Sequence, residues 1–474
     1  MKKYLLLIAV VVLLVVPETG QSGTEHELLD FVDTALRQSD VAYDIRDSMT
    51  LSQMDIESAE HTFDTKIVPL TSIGFTQGTG SQKLGLELRK EIETGASISY
   101  GLVGDRVDED SNYVVENSHV ARAYVRVSQG LFRRWGKEYN RTDLDVAELR
   151  DRQKKLSAAK QMQQLIMSTA KKYYTMVLED QLLIKSREAL NRSKEHLDSA
   201  ASRQSVGLVS KVDVYRAELA MLTAENELQV RTRQRERAID DFRELLRLSM
   251  QDDLSWQKEI SKIIPVIPDT ESVDEVIFDN RLDWQEYLMR TQISKREKYQ
   301  VDRNLMPDVG LSFTVEQRGE GDSIEDAAVL DETNWSLQLE MRSSLDTFSE
   351  ESALLRKKME LSKLRREGEA LRRQISRELR DGLADLQVME RKHQLSIRRL
   401  EQAKLALELA QIRYEKGLSD NLDVIDAEAA YSDAELSIMR SLVSYNNAAI
   451  SLASVMGILN TDWLRMSISQ EETL

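Results

Sequence analysis

The feature that most constrains the fold of this chain is an internal repeat at a spacing of 210 residues. Residues 206–218 read VGLVSKVDVYRAE and residues 416–428 read KGLSDNLDVIDAE, so Gly, Leu, Asp, Val, Ala and Glu coincide. The match continues to the Ala-Glu pairs at 224–225 and 434–435. Self-similarity at this distance predicts two copies of one structural unit.

Each copy contains a long stretch with few helix breakers, since the 474 residues include only 5 prolines and 19 glycines. The expected helices cover roughly 138–205, 211–248, 346–415 and 420–457. The longer helix of each copy would extend on the order of 100 Å at 1.5 Å per residue. Narrow apolar stripes indicate coiled-coil packing. We therefore expect Gly207 and Gly417 at the tips of two helical hairpins, where glycine lets one helix end before the next begins.

Alternating apolar and polar residues predict β-strands before each long helix. The expected strands are 96–103 and 121–127 in the first copy, and 308–318 and 334–342 in the second. Further alternation at 83–92 and 71–78 indicates a hairpin inserted into the first copy. Pro69 and Pro307 are expected at corresponding junctions between helix and strand.

Composition argues against several classes of protein. The absence of cysteine excludes a disulfide scaffold, a cysteine-ligated metal site and a thiol nucleophile. The 5 histidines are too dispersed for a metal site, and the net charge of −17 argues against nucleic acid as a partner. The sequence contains no Walker loop, Rossmann glycine triplet, H-E-x-x-H motif or nucleophile elbow. We therefore expect no enzyme, no metal and no cofactor.

The N-terminus has the pattern of a secretory signal peptide. Lys2 and Lys3 precede an apolar run from Tyr4 to Val16, and small residues near position 22 suggest cleavage there. No clean A-x-A cleavage site is present, so an uncleaved anchor remains an alternative. No other segment approaches the roughly 18–20 continuous apolar residues of a membrane helix. If the protein crosses a membrane, it must do so with strands.

Strands with one apolar and one polar face suit either a sheet packed on a soluble core or a barrel wall in lipid. Export and unusually long helices favour the barrel. Four strands cannot close a barrel alone, and an open sheet edge cannot face lipid. A barrel would therefore need several copies of the chain.

These features together resemble the TolC-like outer-membrane efflux protein family. The resemblance rests on the doubled element Gly-Leu-x-x-x-x-Asp-Val-x-x-Ala-Glu, the paired strands, the two long helical hairpins and the signal peptide. It covers nearly the whole mature chain, about 30–460. One copy of the motif would be weak evidence, but its duplication at the right places in the strand and helix order is specific.

The resemblance implies an α+β membrane protein located in the outer membrane and extending into the periplasm. In this family a homotrimer forms a 12-strand β-barrel, with four strands per chain, continued by a long α-helical coiled-coil barrel across the periplasm. The far end closes like an iris. A periplasmic adaptor protein and an inner-membrane pump dock there, and substrates leave without chemical change.

The resemblance also assigns roles to residues at the tips. Asp423 and Asp426 match acidic residues that ring the periplasmic constriction, where six carboxylates from three chains would favour cations. The alternative for Asp423 is that it only complements the dipole of a helix N-terminus. Asp213 and Tyr414 match a pair that ties neighbouring helices in the closed state, with a plain surface hydrogen bond as the alternative.

Ser419 departs from the family pattern, because some members have an arginine at this position. The ion-paired lock that such an arginine makes is then absent or replaced, with Lys211 as a candidate, and we expect fewer ion pairs to hold the closed state.

The tips themselves are the candidate docking site for the adaptor. Exposed small and apolar residues at a helical-hairpin tip, Gly207, Leu208, Gly417 and Leu418, suit helix-on-helix docking. The alternative is that each glycine only turns the chain and each leucine covers its own hairpin.

These predictions divide the chain into five parts. They are a signal peptide (1–22), a first repeat (23–248), an equatorial connector (249–282), a second repeat (283–460) and a C-terminal tail (461–474). The main competing interpretation is an exported periplasmic coiled-coil structural protein without a pore, which leaves the paired strands unexplained. For the extra hairpin near 83–104 two interpretations stay open, a longer extracellular loop or additional barrel wall.

Overall fold

A computed structural model of the protein describes residues 27–76, 79–111, 114–250, 254–265, 273–343 and 346–469. The predicted signal peptide, 1–22, and residues 470–474 of the predicted tail lie outside these ranges. The helices are α1 (Leu28–Gln38), α2 (Asp40–Glu60), α3 (Lys137–Asn140), α4 (Thr142–Ser205), α5 (Lys211–Leu246), α6 (Val273–Asn280), α7 (Leu282–Arg303), α8 (Ile324–Ala327), α9 (Phe348–Glu415), α10 (Asn421–Val455) and α11 (Thr461–Ser469). The strands are β1 (Thr65–Thr76), β2 (Thr79–Glu91), β3 (Ala96–Ser111), β4 (Val114–Gly130), β5 (Asp308–Gly321) and β6 (Glu332–Arg342).

Two helical hairpins form most of the helical part. Helix α4, with 64 residues, packs against α5, and α9, with 68 residues, packs against α10. Helices of this length extend about 100 Å. Helices α5 and α10 accompany only the half of each long helix that leads to the tips, whereas α2 and α7 pack along the half that leads to the strands. The predicted helical hairpins are thus present, with boundaries within a few residues of those expected.

The main hydrophobic core lies halfway along the long helices. There α1, α11 and the chain segment 254–265 pack against α4, α5, α9 and α10. Phe31 contacts both Phe242 and Tyr173, with ring centroids 5.1 and 5.8 Å apart. The fully buried Asn446 of α10 holds the segment through its side-chain amide, which accepts from the backbone N–H of Ile263 at 2.9 Å and donates to the Ser261 carbonyl at 2.8 Å. This core joins the two hairpins.

All six strands form one antiparallel sheet in the order β1-β2-β3-β4-β5-β6. Strands β1 and β6 are its edges, and α8 lies in the connection between β5 and β6. In most of the strands apolar residues alternate with polar ones, as predicted, so one face of the sheet is apolar.

Two strand predictions are wrong. The chain contributes six strands rather than four, because the inserted hairpin, β1 and β2, pairs with β3 along its whole length and extends the same sheet. Pro69 lies inside β1 instead of at a junction with a helix. An edge strand tolerates a proline because the missing backbone N–H need not break an internal ladder. Pro307 lies directly before β5, where a junction residue was expected.

Candidate functional site

The two long hairpins end in the same turn. Gly207 and Gly417 have φ of +79° and +69°. At each tip the glycine N–H donates to the carbonyl three residues earlier at 3.0 Å, and the next leucine N–H donates to the carbonyl five residues earlier at 2.9 and 2.8 Å. These paired bonds are the Schellman motif, whose left-handed residue is normally glycine. The sequence prediction of glycine-ended helices is confirmed in atomic detail.

The tip leucines point away from the protein. Leu208 is 73% exposed and Leu418 is 66% exposed, so neither covers the seam of its own hairpin. Whether these leucines bind an adaptor stays a prediction. Two exposed apolar side chains remain at the far end of the molecule from the sheet.

The helices that follow the tips begin with different caps. At the first tip, Ser210 Oγ accepts from the Asp213 N–H at 3.3 Å, and the Asp213 carboxylate accepts from the Ser210 N–H at 2.9 Å. The hydroxyl and the backbone N–H of Ser210 lower the pKa of Asp213 below its usual range. At the second tip, Asp420 takes the place of Ser210 and accepts from the Leu422 N–H at 3.3 Å. Asp213 therefore serves its own helix.

Asp423 and Asp426 are both exposed on the first two turns of α10, three residues apart, while Val424 between them is buried. Within the described ranges neither carboxylate forms an ion pair with a cation of the chain. Asp423 lies in the first turn, where a carboxylate complements the helix dipole. The pattern leaves both carboxylates directed to solvent, and their place in a pore stays a prediction.

Tyr414, at the end of α9, is held by an arginine from the other hairpin. The Arg203 guanidinium carbon lies 4.5 Å from the centroid of the tyrosine ring, and Arg203 Nη1 donates to the Tyr414 carbonyl at 2.9 Å. Arg203 was not among the residues predicted from the sequence. Its position four residues before Gly207, in the last turn of α4, is a signal that could have indicated contact with the carbonyls at a helix end.

A polar chain continues this contact between the hairpins. His196 Nε2 lies 2.6 Å from Asn421 Oδ1, and Asn421 Nδ2 donates to the Asp213 carbonyl at 2.7 Å. Since the amide nitrogen is used as a donor, we assign the proton of this hydrogen bond to His196 Nε2. Burial lowers the pKa of His196 below its usual range, although the hydrogen bond with Asn421 opposes the shift. The neutral histidine is therefore favoured.

The three residues predicted to contact each other in the closed state lie around one hollow between the tips. Asp213, Tyr414 and Ser419 all line it. The structure does not join Asp213 to Tyr414 by a hydrogen bond, because the carboxylate is occupied by Ser210. Among the described residues, the Tyr414 hydroxyl and Ser419 Oγ have no hydrogen-bond partner. Their role in closing the tips stays a prediction.

Arg216 places a cation near this hollow, whereas the candidate Lys211 forms no ion pair within the described part of the chain. Its Nη1 lies 3.9 Å from the Asp213 carboxylate and 4.0 Å from that of Asp420. Both separations are long for an ion pair, and the side chains are partly exposed, so the contact contributes little energy. Charge alone does not hold the tips of the chain together.

A stronger ionic cluster lies farther along the hairpins and was not foreseen. Arg192 of α4 donates to Glu428 at 2.6 Å and to Glu435 at 3.1 Å, both on α10. Lys185 lies 3.5 Å from Glu435, which is buried. The guanidinium of Arg192 also lies over the ring of Tyr431, 5.2 Å from its centroid. These contacts fix α10 against α4.

The sheet exposes its apolar face. Trp335, Leu337, Leu339 and Met341 of β6 are all more than half exposed, and each of the other strands also has exposed apolar residues on this face. Such an area is too apolar for a monomer in water and indicates contact with another apolar phase or partner. No helix within the described part of the chain is both long and apolar enough to cross a membrane. A metal-binding group of His, Asp or Glu is also not found in the ranges that the structure covers.

Comparison with known proteins gives the same picture. Residues 280–458 match the family model described as outer membrane efflux protein. The CmeC outer membrane channel of Campylobacter jejuni has 13% identity and a TM-score of 0.71, with 94% of this chain and 89% of that chain covered. VceC, an outer membrane protein of Vibrio cholerae, has 13% identity and a TM-score of 0.69, with 91% and 96% covered.

The open state of the MtrE outer membrane channel of Neisseria gonorrhoeae has 15% identity and a TM-score of 0.68, with 91% of this chain and 88% of that chain covered. No curated protein sequence matches the chain at a significant level. At these identities the solved structures show a shared fold. The family match shows in addition that residues 280–458 are similar in sequence to outer membrane efflux proteins. The family consists of channels and not of enzymes. Residues 280–458 are thus similar to the outer membrane efflux protein family, and the chain shares its fold with outer-membrane channels such as CmeC and MtrE.

Proposed function

We propose that three copies of this chain assemble into an exit duct that passes substrates, chemically unchanged, from the periplasm to the exterior. The observation that carries the proposal is the sheet, which exposes an apolar face and ends in two unpaired edges, β1 and β6. Lipid tolerates such a sheet only when its edges are closed. Other copies of the chain supply that closure. A periplasmic coiled-coil protein without a pore would leave the apolar face in water.

Exposed apolar stripes on the long helices support the same assembly. Helix α5 exposes Val212, Tyr215, Leu219 and Leu222, and α9 exposes Leu405, Leu409 and Ile412. The spacing of three or four residues puts each set on one helix face. Helices with unpaired apolar seams bury them against neighbouring helices. In the trimer, α5 and α9 of adjacent copies would complete the helical tunnel.

The tips would form the periplasmic entrance of the duct. With three copies, Asp423 and Asp426 supply six carboxylates around its narrowest point, which raises the local concentration of cations. Their exposure, and the lack of a cation bound to either of them within the described ranges of the chain, support this role. Tyr414, Asp213 and Ser419 would contribute to contacts that hold the entrance closed, since two of their hydroxyl groups remain free to bond.

Docking partners would meet the same end of the molecule. The exposed Leu208 and Leu418, each beside a turn glycine, suit contact with the helical hairpin of a periplasmic adaptor protein. An inner-membrane pump would deliver substrate through that adaptor. The duct and its partners together would form a tripartite efflux or secretion system.

Conductance of the purified protein in planar lipid bilayers tests the proposal. The wild-type protein should form cation-selective pores. The double variant Asp423→Asn with Asp426→Asn should shift the reversal potential in a salt gradient towards zero and change the single-channel conductance. Glu195→Gln with Asp198→Asn, two exposed carboxylates three residues apart on α4, is the control for loss of charge. A double variant with wild-type conductance and selectivity would contradict the assignment of these aspartates, and a protein without pores would contradict the duct.

A further inference from the structure

The inserted hairpin, β1 and β2, is part of the sheet rather than a loop lying beyond it. Strand β2 pairs with β3 from Gly80↔Asp108 to Glu91↔Ser97, and β1 pairs with β2 from Thr65↔Lys90 to Thr76↔Thr79. These ladders are as long as the ladder between β5 and β6. The hairpin therefore spans the same height of the sheet as β5 and β6, two of the four strands expected from each copy.

A continuous apolar row crosses all six strands. Following the register from edge to edge, it contains Ile67, Leu88, Tyr100, Val125, Val315 and Trp335. Each of these side chains is exposed, from 37% at Val315 to 73% at Trp335. A loop in water would gain nothing from continuing this row, whereas a wall in lipid requires it. The outer face of the hairpin thus has the chemistry of the rest of the wall.

The turn between β2 and β3 is built into the junction with the helices. Glu93 in this turn accepts from Arg141 at 3.2 Å and lies 3.1 Å from the Lys137 ammonium group. The Thr94 carbonyl accepts from the backbone N–H of Gly136 at 3.1 Å. Helices α3 and α4 begin at this level, so the hairpin returns to the helical end of the sheet. This turn fixes the hairpin against the body of the protein.

The polar face ties β2 to β4 across the intervening strand. Tyr124 Oη donates to the Glu87 carboxylate, and Gly101 lies between them in the register. A Cβ atom at Gly101 would lie 2.4 Å from the tyrosine ring, so only glycine leaves room for the ring to cross β3. Arg89 also pairs with Glu87 at 2.6 Å. On both faces of the sheet, β2 therefore has the contacts and the side chains of an internal strand.

We infer that the barrel wall contains six strands from each copy, eighteen in the trimer, and that β1 of one copy pairs with β6 of the next. This inference rests on the proposed trimeric duct. Edge pairing satisfies the backbone groups that lipid cannot. Pro69 removes only its own N–H group from β1, which leaves the other residues of the strand able to pair. A barrel of sixteen to eighteen strands leaves an aqueous lumen, so the opening is wider than twelve strands provide.

Cysteine cross-linking in membranes tests the edge assignment, because the wild-type chain has no cysteine. One panel combines Leu337→Cys on β6 with cysteine at Ile67, Thr71 or Ile73 on β1. A second panel combines Leu337→Cys with cysteine at Ile98, Tyr100 or Leu102 on β3, which would be the edge of a four-strand contribution. Cysteine at Ile73 and Gln82, which are partners within the hairpin, reports its correct folding.

We expect oxidation to convert most of the chain into covalent dimers and trimers for at least one β1 pair and for no β3 pair. Cross-links from β3, or no cross-links from either panel while the protein remains a trimer, would overturn the eighteen-strand wall and leave the proposed duct intact. A monomeric native mass together with no cross-links would overturn both.

Discussion

At the scale of single residues, the turn glycines carry the clearest expectation. A residue with a Cβ atom pays roughly 1–2 kcal/mol in the left-handed conformation of Gly417, whereas asparagine tolerates it better. We expect Gly417→Ala to speed amide exchange at the second tip by roughly ten-fold, since 1.4 kcal/mol is a factor of ten. Hydrogen–deuterium exchange with mass spectrometry of peptides from this tip measures the effect. Gly417→Asn is the matched control, and equal acceleration in both variants would contradict the argument from φ.

His196 gives the tips a pH dependence. Its pKa is lowered in the folded protein, mainly by burial, so the folded state favours the neutral ring. The unfolded or opened state takes up the proton first as pH falls below about 6.5. Stability from this group is therefore fully present above that pH and is lost as the pH falls towards the folded pKa. The positive charge of Arg203 also lowers the pKa of His196, whereas the negative charge of Glu428 raises it.

We therefore expect the tips to open more often at pH 5.5 than at pH 7.5, after correction for the intrinsic exchange rate. His196→Gln should reduce this difference. His61→Gln, at an exposed site far from the tips, should keep it. An NMR titration of His196 with a midpoint above 6.5 would contradict the explanation.

At this scale, a residue's role could be predicted from the sequence where local backbone geometry determines it. It could not be predicted where a contact with another residue determines it. Gly207 and Gly417 were predicted because only a turn explains their place between two helices. The hydrogen bonds between Asp213 and Ser210 were not predicted. The resemblance paired Asp213 with Tyr414, whereas the Asp213 carboxylate caps its own helix through Ser210. Arg203 was missed because its partner lies on the other hairpin, which no local pattern reveals.

At the scale of helices and strands, the exposed stripe of α9 makes a prediction about assembly. Leu409→Glu would place a charge in the seam proposed to pack against a neighbouring copy, and burying an unpaired charge is costly. We expect the trimer to dissociate or to lose most of its thermal stability, measured by native mass after heating at a series of temperatures. Gln411→Glu adds a charge to the same helix on a different face, and the trimer should survive it. Equal effects of the two substitutions would contradict the seam.

The sequence predicted the long helices well because their period and the scarcity of breakers extend over many turns. The sheet was harder to predict. In β1 the alternation is interrupted by Pro69 and Thr71, and only pairing with β2 makes the strand evident. The count of four strands came from the family resemblance, whereas β1 and β2 bring the number in this chain to six.

At the scale of the whole molecule, the apolar face of the sheet and the acidic tips lie at opposite ends of helices about 100 Å long. A sheet in lipid and tips in water account for this separation. In the trimer that we propose, neighbouring copies cover the exposed seams of α5 and α9 between these ends. The same inference, closure by several chains, thus follows from the sheet edges and from the helices independently.

The most direct test of this account is the native mass of the protein extracted by detergent from separated membrane fractions, measured by light scattering with correction for bound detergent. We predict three chains per particle, recovered from the outer-membrane fraction. A monomer or dimer released without detergent would contradict the duct, because a single copy leaves both sheet edges open.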